Sequence, residues 1–236
     1  MNNKLWIFGD SFAEIRPGAS TWGLQVANNY KLDLANIAVN GCGVDWLSLQ
    51  WSEIFHTIDV NDRIVVLAPF PDRVNFWHDR PSLSGYSALI KLETDQTLQK
   101  KLDGVPAEAI SAFKEYFKWL HNPIYNNLKI TGWLHWVNSV GKNLKNKPVV
   151  LHTTNQTVNS PLDYSIVAQG NLLDATIAEF KSIGEWERLT ATGAWQDTRI
   201  SHFSTQNHVV LANKIIKSWD EDTVIDLTTG WHAGII

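Results

Sequence analysis

The sequence predicts an α/β protein, a three-layer α/β/α sandwich on a five-stranded parallel sheet, and three observations carry that expectation. Arg63-Ile64-Val65-Val66-Leu67-Ala68 is a near-continuous apolar, β-branched run, as expected of a strand covered on both faces. Leu5 to Phe8 is a second short apolar run, broken abruptly by Gly9, Asp10 and Ser11, so it reads as a buried strand entering a tight turn. Between such runs lie segments with apolar residues at helical spacing, and strand-helix alternation implies parallel pairing. At 236 residues and 44% hydrophobic content, the chain can bury a large core as one domain.

The elements follow in order. Residues 14–20 contain Pro17-Gly18 and read as a loop. Trp22, Val26 and Tyr30 recur four apart, which places a helix over Thr21–Tyr30. Leu32–Val39 reads as the second strand, running into Asn40-Gly41-Cys42-Gly43, and Trp46–Ile58 as the second helix. A long polar stretch from about Trp77 to Val105 opens an inserted loop and helical region spanning about 77–145, a candidate substrate wall. Pro106 and Glu108 suit a helix start, Ile110, Phe113, Phe117 and Leu120 continue it, and Asn122-Pro123 ends it. A further helix over Tyr125–Leu144 buries Ile130, Leu134 and Val137, and Pro148–Thr153 reads as the fourth strand. Residues 161–188 are ambiguous: Ala175–Phe180 as a fifth strand, or a helix through Ile166–Phe180. The last helix begins near Ser204 or Thr205 and docks through Leu211, Ile215 and Trp219.

Composition excludes several classes. A net charge of −4 leaves no basic footprint for nucleic acid or anionic membrane. The single cysteine, Cys42, cannot form an internal disulfide. No run approaches the roughly 18 apolar residues of a membrane span, and the first strand starts too early for a secretory leader. The expected location is therefore cytoplasmic, although release by lysis or packaging in a virion leaves the same sequence. Twelve tryptophans read mostly as core, while Trp22, Trp46 and Trp77 are the candidates for stacking on a sugar. His135, His152 and His208 read as packing residues. Without a His-Glu-x-x-His pattern, no metal and no cofactor are expected.

Gly9-Asp10-Ser11 directly after the first strand, together with Asp197-Thr198-Arg199-Ile200-Ser201-His202-Phe203-Ser204 near the far end, resembles the first and last blocks of the SGNH or GDSL hydrolase superfamily. The resemblance implies a flavodoxin-like sheet and ester hydrolysis, with Ser11 as nucleophile and His202 as its base. A serine hydroxyl needs a neighbour to take its proton, and imidazole titrates near neutrality. In the family the orienting carboxylate lies three residues before the histidine. Here that position is Arg199, which leaves Asp197, five before, as the candidate orienter, or else a Ser11-His202 dyad. The resemblance assigns oxyanion donation to the amides of Ser11 and Gly41, with Gly43 second to Gly41. The family's Gly-x-Asn-Asp block is absent after Ala68, where the chain reads Pro69-Phe70-Pro71-Asp72-Arg73-Val74-Asn75. Asn75 is left as a candidate oxyanion donor and Arg73 as a candidate positive charge at the substrate, with loop-structural duty the alternative for both. Asp10 is expected to brace the turn. The implied partner is a small-molecule or glycan ester, with carbohydrate O-acetyl esters foremost and lipid esters or thioesters as the enzyme alternative. The contrasting expectation is a catalytically silent scaffold that binds glycan or serves in a virion or assembly.

Overall fold

The computed structural model describes residues 2–13, 15, 20–71, 73, 107–120, 122–155, 161–179 and 202–233. Five strands form one parallel sheet in the order β2-β1-β3-β4-β5: β1 is Lys4–Phe8, β2 Asp33–Asn36, β3 Arg63–Ala68, β4 Val149–His152 and β5 Ile166–Val167. Ile7 is flanked by Asn36 on one side and Val65 on the other, and Leu67 by Leu151. All carboxyl ends therefore share one edge. The chain steps outward from β1 in both directions, so the crevice beyond β1 and β3 is the switch point where open α/β sheets hold ligands.

Period-two alternation divides the core between the two faces of the sheet. Leu5, Ile7, Val65, Leu67, Val149 and Leu151 point to one face. There they meet helix α1 (Trp22–Tyr30) through Trp22 and Val26, and the final helix, α6 (Thr205–Glu221), through Leu211 and Ile215. Trp6, Phe8, Ile64, Val66 and Val150 point to the other. That face is covered by α2 (Val44–Ile54) through Leu47 and Trp51, and by the long helix α4 (Pro123–Gly141) through Ile130, Leu134 and Val137. The predicted three layers are thus present, and β3 has its predicted limits.

The differences have local causes. The second strand is only four residues long, and the chain after it is bound to β1 by Ile37 N donating to Ile7 O at 2.8 Å and Val39 N to Gly9 O at 3.0 Å. Helix α2 starts at Val44, two residues earlier than expected, because Gly43 takes the extended cap position and Asp45 lies in the positive first turn. Helix α3 (Ala107–Trp119) stops before Leu120, which is exposed in the turn and not on an inner face. Asn122 caps the next helix, accepting from Ile124 N at 2.9 Å with Pro123 at the first position, so the expected stop is also a start. The fifth strand is Ile166–Val167, whereas Leu172–Ile177 form a short helix, α5, capped by Asn171. A two-residue strand is too short to show alternation, which is why the later apolar stretch looked the better strand. The 77–105 stretch lies outside the described residues.

Candidate active site

Ser11 lies in the turn that follows β1, at the switch point. Ala13 N donates to Asp10 O at 3.0 Å and Phe12 N to the Asp10 carboxylate Oδ1 at 3.1 Å, so Asp10 does brace the turn. Gly9 was expected to supply a permissive backbone, but its requirement is space: a Cβ there would fall 2.8 Å from Leu67 Cβ. Asp10 is fully buried, and its Oδ2 accepts from Arg73 Nη1, which reaches across from the loop after β3. Arg73 is anchored by its own amide to Phe70 O at 3.1 Å, with its guanidinium 4.5 Å from the centre of the Phe70 ring. The cation expected at the substrate is therefore first the counter-charge of the Ser11 turn. Removing one member of a buried pair strands the other. Arg73→Gln is expected to destabilise the fold by about 3–5 kcal/mol, and Asp10→Asn combined with it to cost less than the sum of the single changes. Urea unfolding of the three variants measures this; additive losses would show that the pair is not coupled.

His202 arrives from the turn before α6, and its Nε2 lies 2.9 Å from Ser11 Oγ across a separation of 191 residues. For Nε2 to accept the serine proton, the ring must carry its own proton on Nδ1. The His202 ring packs on Phe12, with centroids 4.7 Å apart. Its backbone is left-handed, φ 62°, a conformation costing roughly 1–3 kcal/mol for a residue other than glycine. The Thr176 hydroxyl donates to the His202 carbonyl, and Ser204 caps α6 by accepting from Asn207 N at 3.3 Å. Asp197, the expected orienter, lies outside the described residues, as do Asn75 and Trp77.

Sequence reasoning missed Glu179. Its carboxyl group is fully buried just below the His202 turn, where Oε1 accepts from Ser204 N at 2.8 Å and from Asn207 Nδ2 at 2.6 Å. A lone carboxylate inside the apolar run Ala175–Phe180 was the available signal. Missed too was the role of His208, whose Nδ1 accepts the Trp22 amide at 3.2 Å and so serves the first turn of α1.

The loop after β2 is bound to the Ser11 turn. Cys42 Sγ donates to Gly9 O at 3.0 Å, Cys42 N to Val39 O at 3.1 Å, and Gly41 adopts φ 77° between them. Gly41 is thereby held beside the Ser11 turn in a conformation that glycine takes without strain. The Ser11 amide itself has no acceptor among the described residues. Burial, reinforced by the nearby Asp10 charge, pushes the Cys42 thiol up to about 12. It therefore stays protonated at pH 8.5, where a free thiol is half ionised. Iodoacetamide at that pH is expected to leave Cys42 unmodified in the folded protein and to alkylate it in urea. Rapid alkylation of the folded chain, followed by mass spectrometry, would contradict this.

The tryptophans divide. Trp22 is 1% exposed and packs in the core, so it cannot face a sugar. Its position at the start of α1 turns the indole inward, where Nε1 donates to Phe12 O at 2.9 Å and braces the Ser11 turn. Trp46 is partly buried against the opposite core layer. Among the described residues no three His, Cys, Asp or Glu side chains converge to hold a metal ion, and no described helix is long and apolar enough to cross a membrane.

The chain matches no family model and no curated protein sequence. Solved structures do resemble it. A lipolytic protein of the G-D-S-L family from Desulfitobacterium hafniense is 13% identical, covering 67% of this chain and 65% of its own, at a TM-score of 0.33. A GDSL-like lipase from Parabacteroides merdae is 10% identical, with coverage of 90% and 93% and a TM-score of 0.38. An acetyl xylan esterase from the rumen bacterium Butyrivibrio proteoclasticus is 12% identical, with coverage of 66% and 48% and a TM-score of 0.32. The chain thus spans less than two thirds of the length of the first and the last of these. Their activities belong to those proteins, and the roles of residues in this chain rest on its own geometry.

Proposed function

We propose that the protein is a serine ester hydrolase working through an acyl-enzyme on Ser11. One observation carries the reading: an imidazole nitrogen lies 2.9 Å from a serine hydroxyl at the carboxyl edge of a parallel sheet. As Ser11 Oγ attacks the ester carbonyl, its proton passes to His202 Nε2. The amides of Ser11 and Gly41 are the proposed donors to the tetrahedral oxyanion. Collapse breaks the carbon–oxygen bond to the alcohol, which leaves with the proton from His202. Water, deprotonated by His202, then attacks the acyl-serine, and the acid departs as Ser11 regains its proton. Asp197 remains the proposed orienter of the ring.

A small acyl group fits best, because Ser11 is only 7% exposed. With the tryptophans and the polar stretch at about 77–105 favouring a sugar alcohol, carbohydrate O-acetyl esters are the proposed substrates. With Trp22 in the core, the sugar-stacking role falls to Trp46 and Trp77 alone. The test is a fluorophosphonate probe, followed by peptide mapping. Covalent labelling at Ser11 that is blocked by an acetylated sugar supports the reading. A protein that neither takes the probe nor turns over p-nitrophenyl acetate would be the silent glycan-binding or assembly scaffold instead.

A further inference from the structure

The left-handed backbone of His202 (φ 62°) persists only where the surrounding structure over-determines it, and the groups that do so extend to the far end of the described chain. Glu179 Oε1 binds Ser204 N at 2.8 Å, two residues after His202, and Asn207 Nδ2 at 2.6 Å, in the first turn of α6. Asn207 is fully buried, and the rest of its side-chain amide is used on one residue. Its Nδ2 donates to His232 O at 3.0 Å while its Oδ1 accepts His232 N at 2.8 Å, a two-bond pairing like a rung of a strand ladder. Beside it, the Trp231 ring stacks on Phe203 at 5.5 Å and 6°. Phe203 meets Phe12 edge-on at 5.8 Å, and Phe12 carries the His202 ring at 4.7 Å. Two independent routes, one polar and one aromatic, therefore connect Trp231–His232 to the imidazole. The segment is itself anchored, with Trp231 Nε1 donating to Leu227 O at 2.7 Å.

We propose that Glu179 and the segment Trp231–His232 are positioning elements for His202, a clasp that sets the imidazole at Ser11. The inference rests on the hydrolase reading above. Glu179 acts through Ser204 and Asn207, His232 through Asn207, and Trp231 through Phe203 and Phe12, so loosening either element displaces the base. A displacement of about 1 Å at a reacting group is enough to cost on the order of a hundredfold in rate.

The experiment compares wild type with Glu179→Ala, Asn207→Ala, Trp231→Ala and Trp231→Phe, each assayed well below its own unfolding temperature as measured by circular dichroism. The readouts are kcat and KM on p-nitrophenyl acetate and the rate of fluorophosphonate labelling at Ser11. The three alanine variants are expected to lose about tenfold or more in kcat and in labelling rate with KM little changed, and Trp231→Phe, which keeps a stacking ring, to recover most of the loss. Folded alanine variants with wild-type kcat, a loss confined to KM, or Trp231→Phe as slow as Trp231→Ala would each overturn the clasp. If Glu179→Ala fails to fold, Glu179→Gln and the Trp231 pair decide. Wild type that neither labels nor turns over would refute the hydrolase reading and the clasp with it, whereas an active wild type with unaffected variants refutes the clasp alone.

Discussion

Ser11→Ala is expected to lower hydrolysis of p-nitrophenyl acetate by at least about a thousandfold while leaving the fold intact. Without Oγ no covalent intermediate forms, and only substrate binding and oxyanion donation remain. The structural cost is small, because among the described residues the Ser11 side chain gives up a single hydrogen bond, to His202. Such a bond is worth about 1 kcal/mol net. The bonds that shape the turn involve Asp10, Arg73 and Trp22, and they do not pass through the serine side chain. The measurement is a steady-state assay of both proteins beside their urea unfolding curves. Equal rates with equal stabilities would remove the nucleophile and leave the scaffold reading.

His202→Ala should cost at least about a hundredfold in kcat, the usual effect of removing a general base. Its backbone adds a second, independent signature. Alanine at φ 62° keeps the strain of the left-handed region, whereas glycine relieves it. His202→Gly should therefore be as inactive as His202→Ala but more stable. His208 is the control. Its loss leaves the Trp22 amide without its acceptor, which should cost roughly 1–3 kcal/mol in stability while lowering turnover per folded molecule far less than a change at 202. Activity lost at position 208 and kept at 202 would reverse the assignment of the base. A His202→Gly variant less stable than His202→Ala would show that the described turn conformation is not the one populated.

Much of the frame was legible because it is written in local pattern. The β-branched run of β3 and the four-residue spacing of Trp22 and Val26 each report burial within a few residues. The pairing of Ser11 with His202 is long-range, yet both partners carry short neighbouring motifs of their own. What escaped was long-range without such a motif. Nothing around Arg73 announces that its charge neutralises Asp10, 63 residues earlier. Trp22 stayed a candidate for stacking on a sugar because position alone cannot distinguish an indole turned toward a groove from one bound to Phe12 O. Glu179 stood in an apolar stretch that could be read as a strand, and only the observed helix α5 brings it under the His202 turn. The fifth strand was sought at 175–180 because the two residues Ile166–Val167 paired with β4 are too few to show an alternation of their own.

Trp22 joins the two halves of the site: its indole holds the Phe12 carbonyl beside Ser11, and its amide is held by the His208 ring from the helix that follows His202. During synthesis the Ser11 hydroxyl emerges first and must wait for a further 191 residues before the His202 imidazole can reach it. Closing so large a loop is entropically slow. The pairing of Ser11 with His202 therefore forms late, and locally unravelled molecules can keep their helices without it.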